Sequence, residues 1–128
     1  MKTFDSVEEL VYRVAFDGTS LTIADAAGEG CAVRIPPERQ AAVCAALHAV
    51  TAEAVLDPSI VREHVSARLF SGDLRVYAAD GHVNIQILDS ERDLANYVRL
   101  TPADAKALAA EVGRSAGAPA MYSLGIAS

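Results

Sequence analysis

The sequence predicts an α+β fold of two layers: mostly antiparallel sheets packed by helices, built as an internal duplication of a βββα unit. Three observations carry this expectation. An Asp-Gly pair interrupts alternating apolar runs twice, at Asp17-Gly18 and at Asp80-Gly81. Such a pair signals a tight hairpin, because glycine accepts the positive φ that the turn demands. Proline opens a helical pattern twice, at Pro37 and Pro102, a position where its missing N–H is not needed. Finally, Val33-Arg34-Ile35-Pro36-Pro37-Glu38 resembles Val98-Arg99-Leu100-Thr101-Pro102-Ala103 at a displacement of 65 residues. Downstream, Ala42-Val43 falls on Ala107-Leu108, Ala45 on Ala110 and Leu47 on Val112.

The elements follow in order. Ser6-Val7-Glu8-Glu9 has the form of a capping box, whereas Val11 to Phe16 alternates like a strand. A short helical turn followed by a strand over 11–16 accommodates both patterns. Strands over 20–25 and 31–36 pair around Ala26-Ala27-Gly28-Glu29-Gly30. A helix runs from Pro37 to about Leu56, with Val43, Leu47, Val50 and Ala54 on one stripe. Asp57-Pro58 ends it and caps a short helix from Ser59 to Val65. Strands are expected near 67–70, 74–79, 83–88 and 96–100, joined by tight turns at Ser71-Gly72-Asp73 and Asp80-Gly81 and by a charged loop from Asp89 to Leu94. Thr101-Pro102-Ala103-Asp104 places cap, proline and acid in helix-starting order. That helix is expected to reach about Val112, with Gly113 at its C′ position. The tail from Arg114 to Ser128 is small and weakly polar, so it is expected to be flexible or to dock as an edge strand over Met121 to Ile126. Residues 1–113 thus read as one domain of two pseudo-repeats, about 11–56 and 66–113, followed by the tail 114–128.

Composition narrows the function classes. The chain has 128 residues, 52% hydrophobic and 22% charged, enough to bury a core. Its formal net charge of −6 argues against a generic basic nucleic-acid coat and against a polybasic membrane anchor. No apolar run is long enough to span a bilayer, and the start Met1-Lys2-Thr3-Phe4-Asp5 lacks a signal-peptide core. Cys31 and Cys44 make no disulfide framework, so a cytoplasmic setting is expected.

Catalytic signatures are sparse. No glycine-rich phosphate loop, HExxH or CxxC occurs. His48, His64 and His82 fall in different elements, and Cys31 and Cys44 read as small buried apolar residues. Asp89, Glu91 and Asp93 read as a solvated hairpin tip, lacking the frame of a calcium loop. Gly113-Arg114-Ser115-Ala116-Gly117 has the letters of a nucleophile elbow, but that motif needs a strand before its serine, and a helix is expected here. No catalysis, metal or cofactor is expected.

The faces of the second set of strands are more informative. One parity is apolar: Leu74, Val76, Ala78, Val83, Ile85, Ile87, Val98 and Leu100. The other reads Arg75, Tyr77, Asn84, Gln86, Tyr97 and Arg99, with Arg68 and Phe70 as possible extensions. Side chains alternate along a strand, so this second set should form one exposed face. Tyrosine stacks on bases, arginine holds phosphate and amides read base edges, which together describe a single-strand nucleic-acid platform. The equivalent face of the first unit carries Arg13, Thr22, Ala32 and Arg34.

Three or four strands running into a proline-started helix, twice, resembles the Whirly-type and positive-cofactor single-stranded-DNA-binding transcription regulators. The residues that carry the resemblance are Val33 to Glu38 and Val98 to Asp104, each with the helix after it. It covers roughly residues 11–56 and 66–113 and implies a duplicated module acting as its own pseudo-dimer, with Arg34 and Arg99 in equivalent places. The expected function is therefore a small non-catalytic binding protein, holding single-stranded nucleic acid in a regulatory role through Arg75, Tyr77, Asn84, Gln86, Tyr97, Arg99 and Arg34. The rival expectation is an acidic interaction module (a chaperone, immunity or inhibitor protein) that binds a basic protein partner. The Tyr/Arg face would equally suit a homodimer.

Overall fold

The computed structural model describes residues 2–7, 11–57, 67–69, 74–89 and 94–127. β1 (Thr3–Asp5), β2 (Tyr12–Phe16), β3 (Ser20–Asp25) and β4 (Gly30–Arg34) form one antiparallel sheet in chain order, and α1 (Pro37–Leu56) follows. β5 (Ala67–Leu69), β6 (Leu74–Ala79), β7 (His82–Asp89) and β8 (Leu94–Leu100) form a second sheet in the same way, and α2 (Pro102–Ala127) follows it. The expected α+β class with antiparallel sheets is the observed one. The positional match between halves extends to burial: Ile35 and Leu100, Gln40 and Ala105, Val43 and Leu108, and Leu47 and Val112 are all buried.

Local chemistry explains the elements. The β6–β7 hairpin turns on Asp80 and Gly81, both at positive φ (52° and 75°), the pair that a two-residue turn requires. In the first hairpin the Asp17 carboxylate accepts from the backbone N–H groups of Thr19 and Ser20 at 2.9 and 2.7 Å. These bonds, the one from Ser20 first, hold its carboxyl below the ordinary aspartate value. α1 starts at Pro37 as expected, and the buried Gln40 ties its first turn to the hairpin by donating to the carbonyls of Gly18 (2.9 Å) and Ile35 (3.1 Å). Thr101 caps α2 through its hydroxyl, which accepts from the N–H of Asp104 at 3.1 Å.

Two expectations need correction, and Glu8 and Glu9 of the expected capping box lie outside the described residues. Thr3–Asp5 is a strand, and the buried Ser6 hydroxyl accepts from the N–H of Arg99 at 3.3 Å. Val7 N–H then donates to the Arg99 carbonyl at 2.7 Å, so residues 6 and 7 lie along the outer edge of β8. α2 does not stop at Val112, and the tail is neither loose nor a strand: the helix continues to Ala127. Gly113 lacks the positive φ of a C′ residue and serves a close approach instead, since a Cβ there would lie 2.7 Å from Cys44 Sγ. Cys44 is accordingly only half-buried, whereas Cys31 is fully buried. The expected helix Ser59 to Val65, the Ser71-Gly72-Asp73 turn, Phe70, His64, Glu91 and Asp93 lie outside the described residues.

One hydrophobic cluster takes in both sheets and both helices. The helices run antiparallel, with Cys44 against Gly113 and the C-terminal half of α1 beside the first turns of α2. Their backbones cross over between the halves: α1 approaches β5, β6 and β7 of the second sheet, and α2 approaches β2 of the first as well as β7 and β8. Asn96 joins the sheets by donating to the Ile23 carbonyl at 3.2 Å. This arrangement spends the inner face of each sheet on the shared core and leaves the outer faces for other uses.

Candidate binding face

The strand register arranges the outer side chains of the second sheet into a grid. Across β6, β7 and β8, one row reads Arg75, Gln86, Tyr97 and the next reads Tyr77, Asn84, Arg99. Arg68 of β5 is paired in register with Arg75. Arginine and tyrosine therefore occupy opposite corners, and the two amides fill the middle column. Neighbouring strands stand ~4.8 Å apart and alternate residues ~6.6 Å apart, so the corner-to-corner diagonal is about 12 Å.

Each arginine engages the amide of its own row. Arg75 Nη1 donates to Gln86 Oε1 at 3.4 Å and Arg99 Nε donates to Asn84 Oδ1 at 3.0 Å. Arg75 also stands over the Tyr77 ring, 5.4 Å from its centroid, which fixes the guanidinium by a cation–π contact. The Asn84 side chain is 1% exposed, so it is not an open surface amide as the alternation implied. Parity along a strand assigns a face and not a depth, and at the centre of the grid the flanking side chains cover it. Tyr97 is the most open member at 45% exposure, while Arg75, Tyr77, Gln86 and Arg99 are half-buried.

Two donors in the grid have no acceptor among the described residues: Asn84 Nδ2 and Arg75 Nε, both buried. A buried donor left unpaired costs about 1–3 kcal/mol. Such groups call for an acceptor that the described side chains do not supply. The first sheet differs. Its Arg13 is neutralised by Asp5 at 2.8 Å, and apart from Arg34 its outer positions on β2, β3 and β4 are small: Ala15, Ser20, Thr22, Ala24 and Ala32. Arg34 is exposed on β4 of that first sheet, so it stands outside the grid.

Comparison with protein-family models, curated proteins and solved structures finds no match to this chain. The reading of the face rests on its geometry.

Two features escaped the sequence reading. The strap of Ser6 and Val7 on Arg99 fixes one corner of the grid from ninety-three residues away. A cleft of about 490 Å³ opens between the helices, lined by His48, Thr51, Val55, Leu56, Pro102 and Lys106. Neither has a local signal, because both depend on which elements meet. Among the described residues no group of three histidine, cysteine or acidic side chains is placed to hold a metal. None of their helices is long and apolar enough to cross a membrane. Ser115 lies within α2, so its glycine-flanked pattern has no strand leading into it. Burial raises the Cys44 thiol above its ordinary value, which keeps it protonated at neutral pH.

Proposed function

We propose that the chain is a small binding protein that holds single-stranded nucleic acid on the outer face of β6, β7 and β8, in a regulatory role. The observation that carries this is the grid itself: two tyrosines and two arginines at alternating corners around paired amides. Tyr97 and Tyr77 supply stacking surfaces, the arginine corners supply phosphate contacts, and Gln86 reaches base edges. Only acids away from these strand positions contribute to the net charge of −6. In this reading the two halves are copies of one strand-and-helix unit, of which the second kept or acquired the binding face.

The test is fluorescence anisotropy with a labelled, mixed-sequence single-stranded 15-mer at about 50 and about 200 mM salt. Two phosphate contacts on a single strand predict a loss of about sevenfold in affinity over that range. Tyr97→Ala removes one stacked base and should weaken binding by about fivefold or more while the fold persists, because Tyr97 is already 45% exposed. A flat signal at both salts excludes the platform. The second reading, an acidic module for a basic protein partner, is favoured by the net charge of −6. It gains if the oligonucleotide fails to bind and a basic protein is retained by the immobilised chain.

A further inference from the structure

We infer that the grid distinguishes bases, preferring those with a keto oxygen at purine C6 or pyrimidine C4 (guanine, hypoxanthine, thymine and uracil) over those with an amine there (adenine and cytosine). This rests on the proposed reading of the face as a single-strand platform.

The argument is one of donors and acceptors. A guanidinium carries only donors, so the amide atom that faces it must be the carbonyl oxygen. Arg75 takes Gln86 Oε1 and Arg99 takes Asn84 Oδ1. Both amides are thereby turned so that their acceptors are engaged and their NH₂ groups remain for a ligand. Asn84 Nδ2 and Arg75 Nε are buried and have no acceptor among the described residues. The unsatisfied groups of these two rows, Asn84 Nδ2 and Arg75 Nε, are thus both donors, while each amide oxygen already accepts from an arginine. The tyrosine hydroxyls can act either way.

A base that stacks on Tyr77 or Tyr97 brings its edge over the central column. An exocyclic oxygen, as in guanine or thymine, accepts from these donors. An amine at purine C6 or pyrimidine C4, as in adenine or cytosine, sets donor against donor and leaves the buried Asn84 NH₂ without an acceptor among the described residues. Recognition built on an unpaired buried donor discriminates well, because the wrong ligand leaves the donor unsatisfied. The arginines therefore do more than attract phosphate: each one sets the orientation of the amide beside it.

The test compares two oligonucleotides that differ in the C6 substituent and the N1 proton that goes with it. One is a mixed-sequence single-stranded 15-mer rich in adenine; the other has every adenine replaced by hypoxanthine. The expected result is tighter binding of the hypoxanthine form by about fivefold or more. In Gln86→Glu an acceptor oxygen replaces the NH₂ donor, and the ratio of the two affinities should fall toward one. The added charge weakens both oligonucleotides alike and cancels in that ratio. Gln86 is half-buried, so this variant keeps the fold, and Asn84→Ser serves as a second variant at the buried position. Salt-sensitive binding with equal affinities for the two wild-type complexes overturns the inference and leaves a base-blind face. A wild-type preference that Gln86→Glu and Asn84→Ser both leave intact overturns it as well, since selection then lies elsewhere. Failure of both oligonucleotides to bind removes the platform reading, and the inference falls with it.

Discussion

Asn84 shows how far a single side chain can be understood from its neighbours in sequence. Alternation along 83–88 assigns it correctly to the outer face. Its depth, its bond to Arg99 and its unpaired nitrogen depend on β6 and β8, which no local pattern specifies. Ser6 is the sharper case. Its neighbours spell a capping box, yet its hydroxyl serves the backbone of Arg99. Asp17 is the opposite: its role in the turn is entirely local and was legible. Its carboxyl is held below the ordinary 3.8, so the stability it contributes is present above that value and fades as pH falls through the lower folded one. The melting temperatures of wild type and Asp17→Ala, followed from pH 5 down to about pH 2, should therefore converge in acid. A gap that stays constant over that range would contradict the assignment. Gly113 makes a further residue-scale prediction. Alanine there improves helix propensity by roughly 1 kcal/mol but meets Cys44 Sγ at 2.7 Å. Gly113→Ala should cost about 1 kcal/mol in the wild type and stabilise by a similar amount once Cys44 is also alanine. Urea denaturation of the four proteins in this cycle measures the coupling; a C′ glycine would give a loss in both backgrounds.

At the scale of elements, strands and helix starts were readable because each has a short-range cause. Alternation placed the strands, Asp-Gly the hairpins, and proline with a cap the helix starts. The end of α2 was not readable, because glycine after an apolar stripe serves both as a stop and as a point of close contact. Only the position of α1 separates the two. β1 was missed because three residues carry too little periodicity to register. The helix faces themselves are well determined, and Val43 and Leu108 are fully buried at matching positions of α1 and α2. Val43→Asp or Leu108→Asp buries an unpaired charge and should cost at least about 3–5 kcal/mol. Circular dichroism against temperature would reveal a near-native midpoint in either variant, an outcome incompatible with these faces.

For the whole molecule, neither half completes its own core. α1 lies against strands of the second sheet and α2 reaches β2 of the first, so the two halves enclose one hydrophobic cluster. No local pattern in the sequence signals that α1 meets the second sheet or that α2 reaches the first as well as its own. Topology of that kind is set by which apolar faces meet, and the repeated pattern is the same whether each helix covers its own sheet or the other. The crossing also supports the outer grid from behind: α1 lies against β6 and β7, and Ser6 and Val7 bond to the β8 edge. The meeting point of the helices has a covalent consequence. The Cβ that glycine lacks at position 113 would stand 3.7 Å from Cys44 Cβ, inside the window that a disulfide spans. A single Gly113→Cys substitution would therefore let an oxidant weld the two helices together across the long loop between residues 44 and 113, turning a packing contact into a reversible redox clasp.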